Sequence, residues 1–194
     1  MVDHLTDVYR PLLRLCQRLK SLDVPWLVGG STGCLLQKVR LERKPNDLDI
    51  YTDHIYLDHF QHTLEDWSLE DAYYSETEQY RSYLSRYQIH SLEAELVANL
   101  SVCTEDGQYD VDVCGLLAPF APTVDILTES VQLMPLEHEL VFNLLRNRED
   151  RYAPIATAIK HRGVHRSLWQ QLQERNTLSE EFWNRASALI GLFE

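Results

Sequence analysis

The chain has 194 residues and a mass of 22.7 kDa, enough for one domain with a real core and a small extension. Its formal net charge of -12 opposes any broad contact with a phosphate backbone, so bulk nucleic acid binding is not expected. Four cysteines, Cys16, Cys34, Cys103 and Cys114, lack metal-type or paired spacing and read as reduced thiols. With no long apolar run and no basic-then-apolar leader, the expected setting is cytoplasmic, with no membrane association.

Residues 3–20 carry Leu5, Val8, Leu12, Leu13, Leu15, Cys16 and Leu19 at helical spacing, with arginines on the opposite side. Asp23-Val24-Pro25 ends that helix, since proline disfavours helix at the residue before it. Trp26–Val28 then reads as a buried strand running into Gly29-Gly30-Ser31, with a helix over 31–39 and a charged loop over 40–46. Residues 47–52 alternate as a strand, and 54–67 form a helix bearing Ile55, Leu57, Phe60, Leu64 and Trp67.

The polar, tyrosine-rich segment 66–79 is expected to be a loop over the substrate. Strands follow at 80–89 and 91–103. In the second, Leu92, Ala94, Leu96, Ala98 and Leu100 share one face, and Glu93, Glu95, Val97 and Asn99 share the other. Glu105-Asp106-Gly107 signals a hairpin returning along 108–113, where Tyr109, Val111 and Val113 face the core and Asp110 and Asp112 face solvent. A short strand covers 124–127. A helix opens near Pro135 with Leu140, Val141, Leu144 and Leu145 on its apolar face, and the remainder is helical with no strand. The fold class is therefore α+β, a mixed sheet flanked by helices over 1–133 followed by a C-terminal helical region over 134–194.

Two features lie close together in this frame. The glycine pair and Ser31 lead from a strand into a helix, where backbone N–H groups can face a phosphate that a Cβ would block. Asp47 and Asp49, two residues apart on a strand, project from one side. Adjacent carboxylates repel unless a cation lies between them, and oxygen-only ligands suit Mg²⁺ with a polyphosphate as co-ligand. His59 and His62, one turn apart beside Asp53, His54 and Asp58, read instead as the exposed side of a helix.

Trp26-Leu27-Val28-Gly29-Gly30 and Arg43-Lys44-Pro45-Asn46-Asp47-Leu48-Asp49-Ile50 resemble the signature of the DNA polymerase β-like nucleotidyltransferase superfamily. The likeness is to its small bacterial branch of lincosamide and aminoglycoside nucleotidyltransferases. The resemblance implies a nucleotidyltransferase fold and Mg²⁺-dependent transfer of an NMP from an NTP such as ATP to a hydroxyl-bearing acceptor, with release of pyrophosphate. It implies Asp47, Asp49 and Glu95 as metal-holding catalytic residues, and Gly29, Gly30, Ser31 and Arg43 as nucleotide-binding residues. Glu93 and Asp112 remain competitors for the third carboxylate, and the roles of Arg146 and Arg148 stay open. A small molecule is the favoured acceptor. A non-catalytic, antitoxin-like or regulatory partner-binding module on the same fold is the alternative, and homodimerisation is left open.

Overall fold

The computed structural model describes residues 3–192, with side chains from Val8 onward, so Leu5 of the first apolar stripe lies outside the described side chains. α1 (Asp3–Leu19) buries Val8, Leu12, Leu15, Cys16 and Leu19, as its spacing requires. β1 (Leu27–Gly29) leads directly into the short α2 (Gly30–Leu36), and β2 occupies Asp47–Thr52. α3 (Leu57–Leu64), bracketed by single turns of 3₁₀-helix, leaves His59 and His62 exposed.

Segment 66–79 is not a loop. Ser68–Glu76 form β3, which pairs antiparallel with β4 (Tyr80–Ile89). β3 is the last strand of the sheet and most of its side chains are exposed on both faces, so nothing selects an apolar alternation. β5 (Leu92–Thr104) lies at the centre, antiparallel to β4 and parallel to β2. The main strand order is β1-β2-β5-β4-β3.

β5 also changes face part-way. Asn99 adopts φ 49 beside an irregularity in the β4 pairing, and its Oδ1 accepts the N–H of His54 at 2.8 Å. Beyond it the alternation reverses: Leu96 and Ala98 pack with α1 and α3, whereas Leu100 packs with Val97 and Val102 on the other side. A single alternating face through Leu100 is thus corrected by a bulge, where one extra residue shifts the side-chain period.

After the Gly107 turn, β6 (Gly107–Asp110) is shorter than the strand expected to 113, because Val113–Leu117 coil into a π-type turn capped by Asp112. β7 (Thr123–Ile126) and β8 (Glu129–Gln132) make a separate hairpin. α4 (Leu136–Leu145) is buried at all ten positions. α5 (Glu149–Arg162), α6 (Arg166–Arg175) and α7 (Glu180–Leu189) follow, with a two-residue strand, β9 (Thr177–Leu178), on β6 where only helix was expected.

The sheet separates two apolar clusters. One contains α1, α3, Leu48, Ile50, Ala94 and Leu96, and the other contains Tyr51, Val97, Leu100 and the inner sides of α4–α7. The C-terminal helices therefore cover the sheet's second face. Among the described residues no helix is long and apolar enough to cross a membrane.

Candidate active site

Alternation along β2 puts Leu48 and Ile50 into the α1 and α3 side, and it turns Asp47, Asp49 and Tyr51 to the side of α4. The parallel register then places Asp47 beside Glu93 and Asp49 beside Glu95. Neighbouring strands lie about 4.8 Å apart, so the four carboxylates share one patch of sheet. A cleft of about 440 Å³ opens over this patch, and Asp47, Asp49 and Glu95 line it.

Burial, followed by the charges of Asp47 and Glu95, pushes Asp49 up to about 7. Burial also raises Glu95, opposed by Arg86, whose Nε lies 3.9 Å from Glu95 and 3.3 Å from Glu70. Glu93 lies 3.7 Å from the same guanidinium and does not line the cleft. Asp112 is elsewhere: it accepts the N–H of Gly115 at 2.7 Å and pairs with Arg175 at 3.0 Å. Among the candidates for a third acid, the geometry brings only Glu95 to the cleft beside Asp47 and Asp49.

The glycine turn faces these acids from α2. Gly30 has φ +58, and a Cβ there would stand 1.8 Å from Asp49 Oδ2. Only glycine fits both the left-handed backbone and the contact. Gly29 does not line the cleft; a Cβ at that position would meet Tyr51, Glu139 and Met134 at 2.7 to 2.9 Å, so its smallness serves packing. Thr32 Oγ1 donates to Asp47 O at 2.9 Å and fixes α2 against β2.

Two features depart from a simple phosphate cradle. The Gly30 N–H donates to Glu139 Oε1 at 2.7 Å and so is already engaged, leaving Ser31 as the residue of the turn that lines the cleft without a side-chain bond among the described residues. Arg43 is exposed on the loop before β2 and does not line the cleft. The cations that do line it come from α5 and the end of α4, namely Arg146, Arg148 and Arg151. Arg148 and Arg151 share Asp150, whereas Arg146 lies over the Phe142 ring at 4.8 Å with no ion pair among the described residues.

Glu139 escaped the sequence reading. It is 2% exposed, and burial pushes it up to about 8 despite the Gly30 N–H, with the Asp49 charge adding to the rise. A signal existed: positions 136, 139, 140 and 143 form one helical face, so a glutamate interrupts an otherwise apolar stripe with Asn143 beside it.

The charges of Asp47 and Glu95 raise the proton affinity of Asp49, and three carboxylates gathered at one cleft fit a hard divalent cation, which relieves the repulsion. Among the described residues no trio of His, Cys, Asp or Glu side chains already encloses an ion position, and Glu95 instead has Arg86 within 3.9 Å.

This fold, with paired acids at a glycine turn, defines a nucleotidyltransferase. The structure is similar to that of a Thermotoga maritima protein assigned to the nucleotidyltransferases, at 22% identity over 83% of this chain and 96% of that one, with a TM-score of 0.62. It is also similar to the solution structure of the antibiotic-resistance factor ANT(2'')-Ia, at 13% identity over 96% and 97% of the two chains, with a TM-score of 0.54. The family model of aminoglycoside-2''-adenylyltransferase matches residues 11–113, more than half of the 194 residues, and the chain belongs to that family. No curated protein matches the sequence significantly.

Proposed function

We propose that the cleft transfers an NMP from a magnesium-bound NTP, ATP in the first instance, to a hydroxyl group of a small-molecule acceptor, releasing pyrophosphate. The observation that carries this reading is that acidic and basic side chains line one cleft. Asp47, Asp49 and Glu95 line it from the sheet, and Arg146, Arg148 and Arg151 line it from the junction of α4 and α5. A polyphosphate among carboxylate-held cations and guanidinium groups has its charge balanced by both, which is most of what phosphoryl-group transfer requires of a protein.

Asp47, Asp49 and Glu95 would hold magnesium, which when bound neutralises triphosphate charge. Ser31, through its N–H and hydroxyl, donates to phosphate oxygens beside Asp49, and the arginines receive the departing pyrophosphate as charge-assisted donors. Val97, Leu100, Phe142 and Ile155 give the cleft an apolar wall that excludes water. Glu95, with its proton affinity raised by burial and its side chain 37% exposed, is the group able to take the acceptor's proton.

The test is magnesium-dependent release of pyrophosphate from each NTP across a panel of hydroxylated small molecules, with Asp49→Asn as the control. Release that depends on magnesium and is abolished in the variant supports the proposal. Nucleotide binding without turnover for any acceptor would instead favour the non-catalytic partner-binding reading.

A further inference from the structure

Glu139 presents a chemical puzzle. A carboxyl group enclosed in the middle of a wholly buried helix is costly unless its oxygens are satisfied, and no arginine or lysine forms an ion pair with it among the described residues. Its partners are the Gly30 N–H at 2.7 Å and the Asn143 side-chain amide at 3.3 Å, and that amide also donates to Glu139 O at 2.8 Å. As packing alone, a leucine would serve this position at lower cost.

The position of Gly30 explains the acid. A Cβ on Gly30 would stand 1.8 Å from the Asp49 carboxylate, its N–H is held by Glu139, and its φ is +58. Gly30 thus lies against both a proposed metal ligand on β2 and a residue of α4. The same helix ends at Arg146, two turns beyond Glu139 and so on the same face, in the lining of the cleft. A displaced Gly30 would carry Ser31 with it and change the gap between the carboxylates and the phosphate donors.

We propose that Glu139 is a positioning residue for the nucleotide: by accepting the Gly30 N–H it fixes the turn that presents Ser31 to the triphosphate at the correct separation from Asp49. The inference rests on the nucleotidyl-transfer reading of the cleft. Reach is the important property, since Oε1 can accept the N–H whether the carboxyl is ionised or neutral. An isosteric amide therefore substitutes for Glu139, and a shorter acid does not.

The experiment measures the affinity of the full chain for magnesium and an ATP analogue with a methylene bridge between its α- and β-phosphorus atoms. Titration calorimetry is run on wild type, Glu139→Gln, Glu139→Asp and Glu139→Leu, with thermal melts to establish the folded fraction. Glu139→Gln is expected within about threefold of wild type, whereas Glu139→Asp and Glu139→Leu lose tenfold or more in affinity while still folded. Should Glu139→Leu fail to fold, the contrast between Gln and Asp decides. A merely structural role would lower the melting temperature and leave the affinity of folded protein unchanged, and that result overturns the inference. Equal loss in Gln and Asp also overturns it, by making charge rather than reach the determinant. Wild type that binds no magnesium nucleotide overturns the nucleotidyl-transfer reading itself, and the inference with it.

Discussion

Replacing Asp49 by asparagine should remove activity and yet stabilise the metal-free protein. In the folded chain this carboxyl titrates near 7, against an ordinary value of 3.8, because burial and the neighbouring Asp47 and Glu95 charges oppose ionisation. Folding thus favours its protonated form. The associated stability is fully present below the ordinary value, declines as the pH rises from about 4 to about 7, and is absent above that. At about 1.4 kcal/mol per pH unit the ceiling is about 4 kcal/mol, and the partial solvent access of Asp49 brings the expectation to about 1–3 kcal/mol. Asparagine cannot ionise and escapes this loss. Urea denaturation at pH 8 without divalent metal should therefore show Asp49→Asn more stable than wild type by that amount, with the difference vanishing near pH 4. Magnesium with nucleotide should narrow the gap by stabilising wild type alone. A variant less stable than wild type at pH 8 in chelator would refute the argument that these carboxylates repel one another.

Gly30→Ala should cost about 2–4 kcal/mol, from its left-handed backbone and the 1.8 Å approach to Asp49, with pyrophosphate release lost as well; denaturation and turnover measure the two effects. Asp112→Ala removes a cap on Gly115 and an exposed pair with Arg175, so about 1 kcal/mol should be lost with turnover intact, and lost turnover would return Asp112 to the site. Arg146→Ala should raise the nucleotide KM about tenfold and reduce the salt dependence of binding, because this guanidinium has no competing carboxylate among the described residues. Asn99→Ala should cost about 1–2 kcal/mol through its φ of 49 and the lost bond to His54, read as a lower urea midpoint.

The strand from Asp47 to Thr52 was legible to the residue, because one of its faces meets an apolar core and the other a polar cleft, and period-two patterning reports that asymmetry. β3 was illegible for the converse reason: both of its faces are largely solvated, so its strand character comes from pairing with β4. Asn99 shows a different limit. Leu96, Ala98 and Leu100 alternate in sequence without fault, and only the backbone at Asn99 sends Leu100 to the opposite core. Arg43 was expected in the nucleotide site from its place beside the Asp47–Asp49 motif, but proximity in sequence does not bring a loop side chain into a cleft, and Arg43 is exposed outside its lining.

What the sequence by itself determined is local: a glycine turn that admits no side chain, two aspartates on one side of a strand, and Glu95 on a second strand with the matching alternation. These follow from steric and periodic rules that act over a few residues. Only the tertiary structure decided that β5 lies parallel to β2 in the register that sets Glu95 beside Asp49, and that α4 brings Glu139 under Gly30 and Arg146 into the cleft lining. Register and helix placement depend on how two apolar cores close around a single sheet, and that is a property of distant residues acting together.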